Sequence, residues 1–306
     1  MENKPYRSLN EYYREIFGRK TAKISLDGGF TCPNRDGTRG TRGCLFCSSG
    51  GSGDFAENAA LSITQQIERG KAQTAEKWKD PAYVAYFQAF TNTYAPVAEL
   101  RRKYEEALAC PGVEGISIAT RADCLPEDVL DLLAELNGKT KLWVELGLQT
   151  ADEESARRIR RGYPLSVFEQ AVYALAERNI PVVVHVILGL PGETRETVLR
   201  TIDCVNRLPI EGIKLQLLHV LSDSDLAEIY KAGTYTPLTK EEYIALVGDC
   251  IAHLREDIVI HRLTGDGDKN TLLAPLWSLR KRDVLNTLHK YLKDNQIRQG
   301  IKYKSF

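Results

Sequence analysis

The sequence lacks the features that mark membrane proteins and exported proteins. No apolar run approaches the roughly 20 residues that a membrane-spanning helix needs. The first residues, Met-Glu-Asn-Lys-Pro-Tyr-Arg, contain no apolar core of a signal peptide. We therefore expect no membrane partner and a cytoplasmic location. In that reducing compartment the seven cysteines remain available to a metal, and disulfides are not expected.

The sequence also has only one Cys-x-x-Cys pair, formed by Cys44 and Cys47. By itself such a pair most often indicates zinc or redox chemistry. A structural zinc site normally needs four ligands, and the cysteines beyond this region form no second pair that would supply them. Those cysteines are expected to be small buried hydrophobic residues. They are Cys110, Cys124, Cys204 and Cys250.

A third cysteine, Cys32, is separated from this pair by eleven residues in a loop rich in Gly and Arg. Three thiolates can hold three corners of a [4Fe–4S] cluster and leave the fourth iron open for chemistry. The arginines of the loop would offset the negative charge of the thiolates. Cys32, Cys44 and Cys47 are therefore the candidate cluster ligands.

The composition is that of an ordinary globular protein, but its charge is unevenly distributed. The chain of 306 residues is 43% hydrophobic and 27% charged, and its formal net charge is zero. Residues 1–47 carry nine Lys and Arg against five Asp and Glu, and residues 278–306 carry eight against two. Basic ends could grip a polyanion through phosphate contacts. A solvated helix face and a frayed tail would give the same counts.

Apolar runs alternate with amphipathic segments along most of the chain, which predicts repeated βα units and a parallel sheet. Ser8 and Glu11 form a capping box that opens a first helix through Phe17. Strands are predicted at 23–26, 82–90, 115–119, 141–148, 181–188 and 212–218. Helices are predicted at 61–79, 97–109, 126–136, 166–178 and 195–207, with another after Ser222.

Two segments are predicted, a core over residues 1–222 and an extension over 223–306 that is basic at its end. The extension is expected to be helical, with one strand-like run at 258–263. Polar clusters follow the carboxyl end of nearly every core strand, and in parallel α/β folds this end carries the site. The clusters are the cysteine loop, 91–94, 120–123, Glu145 with Gln149, 189–193, and Gln216 with His219. This pattern predicts an enzyme.

Several phrases match a known family. They are Phe30-Thr-Cys-Pro-Asn-Arg-Asp-Gly37, Tyr86-Phe-Gln-Ala-Phe-Thr-Asn-Thr-Tyr-Ala-Pro96, Ile187-Leu-Gly-Leu-Pro-Gly-Glu-Thr194 and Arg262-Leu-Thr-Gly-Asp-Gly267. Together with the cysteine spacing they resemble the radical S-adenosylmethionine (SAM) superfamily over essentially the whole chain. Within it, the chain is similar to the YhcC/YtqA-like bacterial group, related to the elongator-type branch whose members act on the wobble uridine of tRNA.

This resemblance implies an α/β fold, a partial (β/α)6 TIM-like barrel of the radical-SAM type with a C-terminal helical extension. It also implies a [4Fe–4S] cluster at the top of the barrel and SAM bound to the open iron. Reductive cleavage of SAM would give a 5′-deoxyadenosyl radical that abstracts hydrogen from a substrate. The reducing electron would come from a donor such as flavodoxin or ferredoxin.

The resemblance also suggests which residues bind SAM. Gln88 and Thr91 lie where the superfamily holds the methionine amine, although the Gly-Gly-Glu sequence is absent here. Arg161 is expected to clamp the methionine carboxylate, whereas Arg158 and Arg160 are expected on a solvated helix face.

Further SAM contacts are expected from the fourth and fifth strands. Glu145 and Gln149 would hold the ribose or the amine, unless they only make hydrogen bonds at the end of the strand. Phe46 would pack over the cluster or the adenine, and plain core packing explains it equally well. The adenine shelf would be formed by backbone contacts of Ile187, Leu188 and Gly189.

His185 and Gln216 are the candidate catalytic residues on the substrate side. A core histidine with satisfied hydrogen bonds explains His185 at least equally well. Weaker candidates for the substrate side are His219, His261, Arg262 and Asp266.

The leading functional hypothesis is modification of a tRNA base, on the wobble-uridine side chain. The alternatives are a radical-SAM enzyme for a small metabolite or peptide, and a noncatalytic metal-binding protein. The elongator-like cysteine spacing and the segregated charge favour tRNA, the first by analogy.

Overall fold

The computed structural model describes residues 4–51, 53 and 55–304. Its strands are β1 Thr21–Leu26, β2 Ala82–Phe87, β3 Val113–Thr120, β4 Lys141–Gln149, β5 Val182–Leu188, β6 Gly212–Leu217, β7 Val220–Leu221, β8 Val259–Arg262 and β9 Leu272–Ala274. Its helices are α1 Leu9–Phe17, α2 Ile63–Ala75, α3 Val97–Leu108, α4 Glu127–Lys139, α5 Glu153–Arg158, α6 Leu165–Glu177, α7 Arg195–Asn206, α8 Leu226–Lys231, α9 Lys240–His253 and α10 Lys281–Asp294, with a 3-10 helix at Leu276–Leu279. Within these ranges, no helix is both long and apolar enough to cross a membrane.

The main sheet has seven strands in the order β1-β2-β3-β4-β5-β6-β8, and it curls into a half barrel. All neighbouring pairs are parallel. Because helices cover its outer face, its central strands are apolar on both faces, as the run Val-Val-Val-His-Val-Ile-Leu of β5 illustrates. The predicted partial barrel is confirmed.

The seventh strand, β8, comes from the segment that was predicted as the extension. Val259 pairs with Gly212, and Arg262 pairs with Lys214 on β6. The rest of that segment is mainly helical, with α9 packed against α7 and α10. The barrel therefore continues past the boundary predicted at residue 222. Residues 1–3 and 305–306, at the ends of the two predicted segments, lie outside the described residues.

Most predicted elements are present, with changes at their ends. The capping box of α1 is confirmed, since the Ser8 and Glu11 side chains each bond the other's backbone N–H. Strand β2 ends at Phe87 rather than at residue 90, where Phe90 takes a φ of +61°. The helix expected after Ser222 is the six-residue α8. The pair of β7 and β9 was not predicted, because strands this short leave no periodic pattern.

The lower end of the barrel is closed by aromatic side chains. Val84, Trp143 and Val183 point inward from three strands and pack with Tyr13 of α1. The Tyr13 and Trp143 rings lie 5.3 Å apart between centroids. A glycine on β3, Gly115, makes room for the indole, because a Cβ there would lie 3.1 Å from Trp143 Cζ3. This plug leaves the carboxyl end of the barrel as the open one.

Candidate active site

The three predicted cluster ligands come together at the open end of the barrel. Cys32, Cys44 and Cys47 line one cavity, below which the strands converge. Their loop is shaped by backbone hydrogen bonds from Arg35 N to Cys32 O (2.8 Å) and from Cys47 N to Cys44 O (3.2 Å). The fold thus brings together cysteines that are separated by eleven residues in the sequence.

The cysteine loop is held on both sides of Cys44. The backbone of Leu45 donates to Ile159 O (3.0 Å) and accepts from Leu226 N (2.9 Å). The Asn34 amide donates to Arg160 O (2.8 Å). These contacts tie the loop to the turn after α5 and to α8, so the position of the thiol is fixed by neighbouring elements.

The electrostatic surroundings of the thiols favour metal binding. The pKa of the Cys44 thiol is lowered to about 6, mainly by its hydrogen bond with Cys47, and Arg121 and the Asn34 amide (3.4 Å from Sγ) act in the same direction against burial. Thiolate is the form that binds metal. Arg35 also lines the cavity.

These residues fit a [4Fe–4S] cluster held by three cysteines. The donor set is three thiols in one cavity with cationic side chains beside them, as such a cluster requires. Among the described residues, no group of three His, Cys, Asp or Glu side chains is gathered closely enough to hold a single metal ion. The fit to a cluster therefore rests on the three thiols that line one cavity and on the cationic side chains near them.

Below the cysteines, the cavity is lined by two layers of strand residues. Alternate residues of a strand point to the same face, so positions two apart form successive layers inside the barrel. The upper layer, here called the wall layer, consists of Gln88, Ala119, Gly147, Ile187 and Gln216. Below it, the side chains that meet around Glu145 are called the floor; they are Lys23, Tyr86, Ser117, Glu145, His185 and Lys214.

The floor is a hydrogen-bonded network centred on Glu145, a carboxylate with no exposed surface. Glu145 Oε2 lies 2.7 Å from His185 Nε2, and Ser117 Oγ donates to Oε1 at 2.6 Å. Lys23 and Lys214 both form ion pairs with the same carboxylate. A buried charge needs such partners, because an unpaired one costs several kcal/mol (about 3–5 when one partner of a pair is removed).

The pKa shifts within the floor follow from burial and mutual charge. Burial favours the neutral form of Glu145, but Lys214 and Lys23 outweigh it and hold its pKa well below the usual value. Burial lowers the pKa of Lys214 to about 7, against the attraction of Glu145. Burial, with Lys214 adding to it, lowers the pKa of His185 to about 4. At neutral pH the floor thus holds an ionised carboxylate and a neutral imidazole.

Gln149 is the clearest SAM-binding candidate on β4. A register shift between Gly147 and Gln149 gives the latter a φ of +66° and turns its side chain into the cavity. Its amide oxygen is buried and has no partner among the described residues. An orphaned buried acceptor of this kind is expected to meet a ligand donor, here an amine or a hydroxyl.

Arg161 lines the cavity, but its guanidinium is already engaged. It donates to the carbonyls of Tyr163 (2.9 Å), Leu148 (3.2 Å) and Thr150 (2.6 Å), and it pairs with Glu153. In this arrangement it ties the end of β4 to α5, and it does not present the free two-pronged edge that a carboxylate clamp needs. Its role in holding SAM stays a prediction.

The remaining predicted SAM contacts are divided between the cavity and the core. Phe46, Gln88, Thr91 and Ile187 line the cavity. Leu188 lies fully buried in the main core, and the Gly189 carbonyl accepts a hydrogen bond from Tyr235. Of the three residues expected to form the adenine shelf, only Ile187 is therefore a lining residue in the described part of the chain.

Most of the predicted substrate-side residues line the same cavity. They are His185, Gln216, His219, Arg262 and Asp266. His261 does not line the cavity, and both of its ring nitrogens are buried without a partner among the described residues. The Arg262 guanidinium lies 3.5 Å from the Asp266 carboxylate.

Lys23 and Lys214 are the residues of the floor that sequence reasoning missed. Each lysine interrupts an apolar strand, at the third position of Thr-Ala-Lys-Ile-Ser-Leu and of Gly-Ile-Lys-Leu-Gln-Leu. A charged residue in a strand that is buried on both faces is a usable signal, because it must find a partner inside.

The fold and the site together define an α/β half barrel with a three-cysteine cluster site at the carboxyl end of its strands. The model of the Radical SAM superfamily matches residues 36–205, and that of the Radical_SAM C-terminal domain matches residues 210–294. The chain therefore belongs to the radical SAM superfamily, and [4Fe–4S] and SAM are its cofactors.

The protein is similar to bacterial relatives along most of its length. It is 46% identical to the "Uncharacterized protein YtqA" of Bacillus subtilis (strain 168), over 97% of this chain and 92% of that protein. It is 36% identical to "Protein YhcC" of Escherichia coli (strain K12), over 92% of this chain and 90% of that protein. The predicted relationship to the YhcC/YtqA-like group is confirmed.

More distant similarities lead to the elongator-type branch. A tRNA uridine(34) acetyltransferase of Dehalococcoides mccartyi (strain CBDB1) is 29% identical over 58% of this chain and 39% of that protein. Among solved structures, the archaeal Methanocaldococcus infernus Elp3 superposes with a TM-score of 0.69 at 15% identity, over 91% of this chain and 64% of that chain. The superposition supports the fold.

Proposed function

We propose that this radical SAM protein modifies a base of tRNA, at the side chain of the wobble uridine. The observation that carries the proposal is the partial match to a protein named for tRNA uridine 34. The expected setting is the cytoplasm, where a donor such as flavodoxin or ferredoxin would supply the electron. SAM bound at a [4Fe–4S] cluster supplies hydrogen-atom abstraction through its reductive cleavage.

The distribution of charge at the cavity mouth supports a polyanionic substrate. Asp266 lines the cavity, and its carboxylate accepts from Lys281 Nζ at 2.6 Å at the start of α10. Arg280 and Arg282 flank this lysine and are exposed. The basic C-terminal segment thus begins beside the open end of the barrel, where it would contact phosphates next to the modified base.

In this proposal, different groups of residues bind the cluster, SAM and the substrate. Cys32, Cys44 and Cys47 would hold the cluster. The orphaned amide oxygen of Gln149 would accept a hydrogen bond from SAM. The floor, with His185 and Glu145, lies farther from the cysteines and is left for the substrate.

The test uses bulk tRNA from a strain that lacks the gene. Anaerobically reconstituted protein with dithionite should release 5′-deoxyadenosine faster when this tRNA is added, and a nucleoside of the tRNA should change mass. The binding constant for tRNA should also fall steeply as salt rises. Each phosphate contact contributes about −0.9 to the slope of log K against the logarithm of the salt concentration, by analogy with duplex nucleic acid. SAM cleavage that is indifferent to tRNA would reject the proposal and indicate a small metabolite or a peptide as substrate.

A further inference from the structure

His185 is presented to the cavity in one defined hydrogen-bonding state. Its Nε2 lies 2.7 Å from Glu145 Oε2. Because an ionised carboxylate can only accept, Nε2 must carry the hydrogen of the neutral ring. The other ring nitrogen, Nδ1, is then a bare acceptor.

That acceptor has no partner among the described residues, and it is not one of their fully buried, unpartnered atoms. The His185 ring lines the cavity. Nδ1 is therefore open to whatever enters the barrel.

The surroundings of the ring hold this state in place. Glu145 on β4 is fixed by Ser117 on β3, by Lys23 on β1 and by Lys214 on β6. Three further polar groups face the same space, Tyr86 from β2 and His261 and Arg262 from β8. With two lysines close by, protonation of the ring is unfavourable, so His185 is suited to accepting a hydrogen bond rather than to removing a proton.

Gln216 offers a donor one layer above this acceptor, on the neighbouring strand. It lies on β6 one layer above Lys214, and it pairs in register with Ile187, two residues beyond His185 on β5. It lines the same cavity, and its amide can donate. An acceptor with a donor next to it matches an imide edge, in which an N–H lies beside a carbonyl.

We propose that His185 Nδ1 accepts the imide N–H of the substrate uracil while the Gln216 amide donates to the adjacent carbonyl. The uracil as substrate rests on the proposed function; the state of His185 does not. With N3–H and the C2 carbonyl directed to His185 and Gln216, the C5–C6 bond on the opposite side of the ring faces the cysteines. Enzymes that extrude a base read it by hydrogen bonds to its Watson–Crick edge, to which N3–H belongs.

The first experiment measures the free protein and a simple probe. In protein labelled with 15N-histidine, His185 should give the signature of a neutral ring with its hydrogen on Nε2 from pH 6 to 8, assigned by its loss in His185→Gln. Uridine should shift the Nδ1 resonance, and N3-methyluridine, which lacks the imide hydrogen, should not. A hydrogen on Nδ1, an imidazolium, or no response of Nδ1 to uridine would each overturn the proposal.

The second experiment separates the two ring nitrogens by substitution. His185→Asn keeps an acceptor close to the position of Nδ1 but loses the bond to Glu145, whereas His185→Gln keeps a donor to Glu145 and loses the acceptor. For tRNA-dependent release of 5′-deoxyadenosine, His185→Gln should lose at least about tenfold in kcat/KM, and His185→Asn markedly less. Equal losses would contradict the proposal. A wild-type protein that ignores tRNA would instead reject the proposed function, and the uridine experiment would still decide the role of His185.

Discussion

At the scale of single residues, the most informative group is Glu145. It is the only carboxylate of the floor, and it is completely buried between Lys23 and Lys214. Burying a paired charge rarely adds stability compared with apolar residues, but removing one partner leaves an uncompensated charge inside the protein. In the proposal made above, this network orients His185.

Substituting this carboxylate should be costly for the fold. Glu145→Gln leaves two buried lysines without a counter-charge, and we expect the free energy of unfolding to fall by about 3–5 kcal/mol. Urea unfolding of metal-free protein at pH 7 measures this free energy. Glu105→Gln is the control, because its ion pair with Arg101 on α3 is exposed and should change stability by less than about 1 kcal/mol. Similar stabilities for the two variants would contradict this view of the floor.

Glu193 should make stability depend on pH in the opposite direction from an ordinary carboxylate. Burial raises its pKa to about 7, and it accepts a hydrogen bond from Thr150. Since the unfolded pKa is about 4.3, the folded protein binds the extra proton between these values, and stability falls as pH rises from about 4.3 to 7.

The matched variant is Glu193→Gln, which cannot ionise. It should equal the wild type near pH 4 and be more stable by roughly 1–3 kcal/mol at pH 8, because only the wild type must bury a charge there. Unfolding by denaturant at both pH values measures the difference. A variant that is less stable than the wild type at pH 8 would show that the ionised carboxylate is well accommodated.

At the scale of elements, the strands pack so closely inside the barrel that one position on β6 has room only for glycine. On β6, a Cβ at Gly212 would lie 2.6 Å from His261 Nε2 and 3.2 Å from Val259 O. Gly212→Ala should therefore destabilise the protein by about 1–3 kcal/mol through overpacking. Gly138→Ala on α4 is the control, since no atom lies within 4 Å of its Cβ and alanine favours a helix. Thermal unfolding of both variants tests this, and equal midpoints would contradict it.

Ion pairs connect the cysteine loop to the start of α8. Asp225 pairs with Arg42 (3.0 Å) and Arg160. Asp225→Asn should leave the fold intact but speed the loss of iron in air by several-fold, because the loop is held less firmly. Absorbance of the reconstituted cluster over time measures this. Glu135→Gln is the control, because it breaks exposed ion pairs with Arg101 and Lys139 near the end of α4, and it should retain iron like the wild type. Equal rates of iron loss in the two variants would contradict a role of Asp225 in holding the loop.

The sequence was sufficient for elements with a strong local signal, and insufficient where distant residues decide. Alternating apolar and amphipathic runs predicted the strands of the half barrel, and the cysteine spacing together with family resemblance predicted the cluster ligands. The partners of Glu145 were not predictable in the same way, because Lys23 and Lys214 come from β1 and β6 and meet only when the sheet curls. The engagement of Arg161 by backbone carbonyls likewise depends on where the turn after β4 folds back.

At the scale of the whole molecule, the barrel separates three tasks along its axis. An aromatic plug around Trp143 closes the lower end. The floor around Glu145 presents fixed hydrogen-bonding groups in the middle, and the cysteine loop covers the carboxyl end. In the proposed function, a reactive group formed beside the cysteines would face a substrate held from below, and this would limit the positions it can attack.

The most direct test is dithionite-driven cleavage of SAM by anaerobically reconstituted protein. The wild type and Cys204→Ala, whose cysteine lies on α7 away from the cavity, should release 5′-deoxyadenosine, and Cys44→Ala should release none above background. A wild-type protein that holds its iron yet leaves SAM intact, or a Cys44→Ala variant that cleaves it as fast as the wild type, would contradict the assignment of this site.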